Sequence, residues 1–237
     1  MAPTLYHIPK TISSPIVQCL LELDLVNKQV KVVERSFSEL RFPEYLALNP
    51  MGTSPAFQDG EIIIWESGAV LTYLLERYDT KHKLHPACLC TESPAEQIAA
   101  RTKFLHLQHY IISTVYPFMA SLLIHTFKPL DEQDANYVES AKEKWQNYFG
   151  PVLEKWLGEG PYFLGDNISA VDFLAAKPLN NANSLGLLKK FSSLQAFFER
   201  LRSRPSFAGA YVSMPSNSAD SNDGEVNRSM ILVPGNW

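Results

Sequence analysis

The sequence predicts an α/β unit followed by an all-helical one, on two observations. In roughly the first 80 residues, strand-like and helix-like segments follow as β-α-β, an irregular stretch, then β-β-α, a complete small α/β unit. After Pro94 every strongly periodic segment has helical spacing.

The elements follow in order. Residues 4–7 and 29–33 read as short strands, the second with Val30, Val32 and Val33. Between them Pro15 to Leu25 reads as a helix, with Ser14 as its N-cap and Pro15 at its first position. Pro43 to Leu48 is a short helix that stops before Asn49-Pro50-Met51-Gly52. Pro55-Ala56-Phe57 and Glu61–Ile64 are strands joined at Gln58-Asp59-Gly60. Glu66 to Tyr78 is a helix with Ala69, Val70, Tyr73 and Leu74 on one side. The expected domains are 1–82 and 95–212, joined by a linker at 83–94 that two prolines break. In the second unit a helical stripe runs from Ala141 to Leu157, with a kink or restart at Pro151. Leu194 to Leu201 is a further helix that ends at Arg204-Pro205. Residues 213–237, rich in Ser, Asn, Asp and Gly before an apolar end, read as a flexible tail.

Composition excludes several function classes. The chain has 237 residues, 21 basic and 25 acidic side chains and a net charge of −4, with no Lys/Arg block of the kind a nucleic-acid binder presents. Cys19, Cys88 and Cys90 form no C-x-x-C pair, and so low and odd a count fits a reducing compartment. The start lacks the basic and apolar regions of a secretory leader, so a cytoplasmic location is expected. Phe104 to Phe127 holds no Asp, Glu, Lys or Arg and is long enough to span a bilayer. Three histidines, Gln108, Pro117 and several hydroxyls within it point to a buried helix instead, with no membrane. His106-x-x-His109 has metal-ligand spacing but no third ligand nearby, so no metal is expected. His82-x-x-His85 reads as solvated.

Three loops carry chemistry. Pro9-Lys10-Thr11-Ile12-Ser13-Ser14-Pro15 sets three hydroxyls between a strand end and a helix N-terminus, where unpaired N–H groups and the dipole favour an anion. A hydroxyl there can donate to a thiolate or simply cap the helix. In Asn49-Pro50-Met51-Gly52-Thr53-Ser54-Pro55-Ala56, a cis Ser54–Pro55 bond would present the Ser54 backbone as an edge for a peptide-like ligand. An ordinary trans proline in a loop is the plainer alternative. In Trp65-Glu66-Ser67-Gly68, Ser67 and its amide can hold a carboxylate and Glu66 an ammonium, or both can serve the helix alone.

Together, in this order, these loops resemble the glutathione transferase superfamily. Asn49-Pro50-x-Gly52-x-x-Pro55-Ala56 is similar to its N-P-x-G-x-V-P-A segment, and Glu66-Ser67-x-Ala69-Val70 to its E-S-x-A-I. Phe163-Leu164-Gly165-Asp166-Asn167-Ile168-Ser169-Ala170-Val171-Asp172 is similar to F-L-x-G-D-x-x-[ST]-x-A-D. In that last motif Ser169-x-x-Asp172 is a capping-box-like pair flanked by Ile168 and Phe173, a folding element rather than a catalytic one.

The resemblance covers about residues 4–207. It implies a thioredoxin-like domain that binds glutathione, then a helical domain with a pocket for an apolar electrophile, in a homodimer. Ser54 would pair through its backbone with the cysteinyl part beside cis-Pro55, and Glu66 and Ser67 would hold the γ-glutamyl end. Thr53 stands where the family often has Lys or Gln, next to the glycyl carboxylate. The thiol would lie near Thr11, Ser13 and Ser14. Serine classes with an early catalytic residue line up with Thr11, and the cysteine-type bacterial class with Ser13 and Ser14; Ser13 or Ser14 is the expected thiolate-stabilising hydroxyl, because these two lie nearest the expected cap. Tyr110, Tyr116 and Phe118 are candidate pocket residues or plain core. The implied reaction is conjugation of the glutathione thiolate to an apolar electrophile. Glutathione-dependent isomerase, peroxidase or disulfide reductase chemistry, and a non-catalytic interaction module, are the alternatives.

Overall fold

A computed structural model describes residues 2–211; the expected flexible tail at 213–237 lies outside the described residues. The first unit contains β1 (Thr4–His7), α1 (Ser14–Glu22), β2 (Lys31–Glu34), α2 (Pro43–Leu46), β3 (Ala56–Asp59), β4 (Ile62–Trp65) and α3 (Ser67–Tyr78). Its sheet runs β2-β1-β3-β4, with β1 and β2 parallel and the other pairs antiparallel. This is the small mixed sheet expected of a thioredoxin-like domain. Leu5 sits opposite both Val32 and Phe57, and Leu5 and Phe57 are fully buried beneath α1 and α3. Each such side chain contributes about 1.5–3 kcal/mol by leaving water.

Helix α1 differs from expectation at both ends. Ser13, not Ser14, is the N-cap residue, and no side-chain cap bond accompanies it. The helix stops at Glu22 rather than Leu25 because the chain turns there in a Schellman motif: Asp24 adopts φ 56°, its N–H donates to Leu21 O at 3.0 Å, and Leu25 N–H donates to Leu20 O at 2.9 Å. Leu25 is thus the apolar residue that closes the motif. The amides of Gln29 and Val30 also return to Leu25 O, so β2 begins only at Lys31. The β3–β4 turn falls one residue later than expected, at Gly60-Glu61, with Gly60 at φ +62°.

The second unit is helical: α4 (Ala95–Tyr110), α5 (Tyr116–Thr126), α6 (Ala135–Lys144), α7 (Gly150–Leu157), α8 (Ala170–Ser184), α9 (Ser192–Arg202) and α10 (Pro205–Tyr211). A π-helical turn, Ile111–Val115, joins α4 to α5, and a second, Trp145–Phe149, joins α6 to α7 just before Pro151. Ala95–Thr126 is long and apolar enough to cross a membrane by length and composition. Phe104, Leu107, Ile111, Val115, Met119 and Leu122 along it are buried in the protein core.

Helix α8 lies at the centre of this unit. Asp172, fully buried in its first turn, accepts from Ser169 N and Ser169 Oγ, each at 2.7 Å, and from Phe163 N at 2.9 Å. Helix α1 packs on α8 and on α10. Arg204 clamps the latter contact by a two-pronged bond to Glu22 at 2.7 and 2.8 Å. The stretch after α3 is also pinned: Asp79 accepts from the amides of Lys83 and Leu84 and pairs with His85 Nδ1 at 2.8 Å. His85 is therefore buried and not solvated, because it supplies a partner to a carboxylate that has left water.

Candidate functional site

Three chain segments converge at the C-terminal end of β1. The β3–β4 register pairs Ala56 with Trp65, so Pro55 and Glu66 leave the hairpin side by side. The Ser54–Pro55 bond is cis, and the β1–β3 ladder begins at Ala56, leaving the Ser54 backbone outside it. Ser54 Oγ donates to Ser13 Oγ at 3.2 Å, which ties this loop to the first one. Across the hairpin, Glu66 precedes α3 at φ 84°, a backbone region that non-glycine residues avoid, and Ser67 is nearly buried as the first helical residue.

Thr53 has an internal role. Its carbonyl accepts from Tyr45 OH at 2.6 Å and from Asn49 Nδ2 at 2.8 Å, and its hydroxyl accepts from Asn49 Nδ2 at 3.0 Å. Gly52, at φ +59°, completes this loop; a Cβ there would lie 2.5 Å from Arg41 Nη1 and 3.0 Å from Leu40 O.

The first loop is a buried network of hydroxyls. Ser13 Oγ, with no exposed surface, meets His7 Nδ1 at 2.7 Å, Thr11 Oγ1 at 2.8 Å and Ile8 O at 3.1 Å, and accepts from Ile8 N at 3.3 Å. Thr11 Oγ1 donates to Ile8 O at 2.7 Å and accepts from Ser13 N at 3.3 Å. Ser14 Oγ is buried and has no hydrogen-bond partner among the described residues. Burial holds the His7 ring well below its ordinary value, at about 4, so His7 is neutral at physiological pH. Nothing in the sequence alone marked His7 beyond its place at the strand end.

Beside Thr11 lies a cavity of about 240 Å³ between the two units, walled by Ile12, Phe37, Ile112, Met119 and Leu123 and reached by Tyr116, Lys177 and Asn181. Of the three loop hydroxyls Thr11 alone borders it, 8% exposed. For two of the candidate pocket residues the core alternative holds: Phe118 stacks on Phe149 at 3.9 Å, and Tyr110 packs against the core without lining the cavity. Tyr116 does line it, but its hydroxyl donates to Leu174 O at 2.8 Å. Burial pushes the Cys19 thiol far up, so it stays protonated and unreactive. Among the described residues no group of three His, Cys, Asp or Glu could hold a metal ion. His106 lies edge-on to Trp156 at 4.6 Å.

The sequence matches the family descriptions "Glutathione S-transferase, N-terminal domain" over residues 1–76 and "Glutathione S-transferase, C-terminal domain" over residues 115–205. The chain belongs to the glutathione transferase superfamily. Among relatives in this family, a probable glutathione S-transferase GSTF1 of Oryza sativa subsp. japonica is 28% identical over 200 residues, 82% of this chain and 89% of that protein. Glutathione S-transferase GstB of Escherichia coli K12 is 27% identical over 193 residues, 80% of this chain and 88% of that one. A glutathione transferase homolog from Lodderomyces elongisporus, solved with two GSH per subunit, shares the fold. Its TM-score is 0.74 at 19% identity, over 89% of this chain and 98% of that one. The transferase URE2P8 from Phanerochaete chrysosporium, solved with oxidized glutathione, superposes with TM-score 0.72 at 21% identity, over 88% and 93% of the two chains.

Proposed function

We propose that the protein is a cytoplasmic glutathione transferase that joins the glutathione thiolate to an electrophilic carbon of an apolar compound. The observation that carries this reading is the place of Thr11. Thr11 borders the apolar cavity next to the α1 N-terminus, and its hydroxyl bonds Ser13, which in turn accepts from Ser54.

Thr11 is the hydroxyl that stabilises the thiolate. Ser13 is enclosed by its partners and acts behind Thr11, and Ser14 belongs to the packing of α1. When a sulfur binds, the Thr11 proton swings from Ile8 O to the anion, and Ser13, 2.8 Å away, can donate to the Thr11 oxygen behind it. Such a chain strengthens each member. The energy is sufficient: lowering a thiol from about 8.5 by about two units needs roughly 2.7 kcal/mol. A hydrogen bond to a charged group supplies about 1.5–3 and a helix N-terminus about 0.3–1 kcal/mol.

In the same reading the Ser54 backbone beside Pro55 pairs with the cysteinyl residue, and Glu66 and Ser67 receive the γ-glutamyl end. The Glu66 backbone geometry supports this, since residues held at φ 84° cluster at functional sites. Thr53 serves by shaping the loop. A homodimer through the β4 side accounts for the exposed Ile62, Ile63 and Trp65 on that strand.

The test is retention on immobilised glutathione combined with turnover of an activated aryl chloride. Retention with turnover supports the transferase; retention without turnover or thiolate absorbance supports a non-catalytic module.

A further inference from the structure

Helix α8 runs Phe173-Leu174-Ala175-Ala176-Lys177-Pro178-Leu179, and Lys177 is the one charge in that stretch. It is 8% exposed and lines the apolar cavity. Its ammonium donates to Asn181 Oδ1 at 3.1 Å, a neutral acceptor one turn along the same helix. Among the described residues no carboxylate pairs with it. An ammonium taken from water costs several kcal/mol, and one amide oxygen satisfies a single one of its three donors. The usual solution, a neighbouring Asp or Glu, is missing, while the remaining wall offers Ile112, Met119 and Leu123. Burial lowers the amine only to about 8, so it remains mostly protonated at neutral pH.

We propose that the second substrate is an apolar molecule bearing one anionic oxygen group, whose charge is met by Lys177 with Asn181 while the cavity wall packs its hydrocarbon body. This deepens the transferase reading by naming a substrate class and a specificity-determining residue. Lys177 binds and orients here and touches neither the thiol nor its hydroxyl donor in this scheme. Asn181 holds the ammonium in place when the cavity is empty.

The test is equilibrium binding of a matched pair, 2-naphthoate and 2-naphthamide, to the full chain at neutral pH. The wild type is expected to favour the carboxylate by about tenfold or more, the scale of a close charge pair out of water. Lys177→Met and Lys177→Gln, each checked for an unchanged circular dichroism spectrum, are expected to lose that preference while still binding the amide. Equal binding of the pair by the wild type, or a preference that survives both substitutions, overturns the proposal. So does a Lys177→Met variant whose defect is in affinity for glutathione and not for the naphthoate, since Lys177 would then serve the peptide. Glutathione retention is measured on the same samples. A naphthoate preference without retention sustains the Lys177 site and rejects the transferase reading; retention without the preference does the reverse.

Discussion

The Tyr116 hydroxyl donates to the Leu174 carbonyl at 2.8 Å. That carbonyl is the acceptor that Pro178, four residues on within α8, cannot use because it has no N–H. A side chain of the cavity wall thus repairs the backbone of the central helix, and its hydroxyl is committed to that bond. Tyr116→Phe should lower stability by about 1–3 kcal/mol, the cost of an unsatisfied buried carbonyl. Conjugation rate and thiolate formation should stay within about twofold, since the aromatic wall is retained. Urea unfolding and steady-state rates on one sample check both halves.

Asp172 offers a second structural test. It collects Ser169 N, Ser169 Oγ and Phe163 N at one buried carboxylate. Asp172→Ala should cost about 3 kcal/mol or more, because it leaves buried donors without an acceptor at the start of α8. The midpoint of urea unfolding reads this directly, and Asp172→Asn should recover part of the loss.

The acid limb of stability should report His7. Its folded-state value is lowered by burial to about 4, from an ordinary 6.5, so between these values the unfolded chain binds more protons than the folded one. The contribution of neutral His7 is fully present above about pH 6.5 and is lost as pH falls toward about 4. His7→Gln cannot titrate. Its plot of unfolding free energy against pH should therefore be shallower than that of the wild type across this window, and parallel to it above.

Much of this was legible in the sequence, because local rules and tertiary packing agree where the motifs lie. Ser169-x-x-Asp172, the hairpin near Gly60 and the loop from Asn49 to Pro55 all have the expected elements on each side. Other features were hidden for physical reasons. The π-helical turn at Ile111–Val115 adds a residue to a turn of the helix, so the face that carries Tyr116 is rotated from the one that Tyr110 would continue. Phe118, two residues past Tyr116 in α5, points to another face of that helix. Leu25 looks helical because its apolar side chain closes a C-terminal cap. His85 looked solvated because its partner, Asp79, belongs to the end of another element. Among the loop hydroxyls, nearness to the cap favours Ser13 and Ser14, whereas the cavity, which only the fold assembles, lies beside Thr11. Lys177 had a signal, a single lysine within an apolar helical run, but a lysine stem also packs well at the rim of a core, which makes that pattern ambiguous.

The central claim is that Thr11 holds the glutathione sulfur ionised. The most direct measurement is a pH titration of the ultraviolet absorbance of bound thiolate in the wild type, Thr11→Ala and Ser13→Ala. The wild type should titrate about two units below the free thiol's value of about 8.5, and Thr11→Ala should return most of the way to it. Ser13→Ala should show the smaller shift. A Thr11→Ala curve that overlies the wild type, with the full effect appearing in Ser13→Ala, would contradict the account.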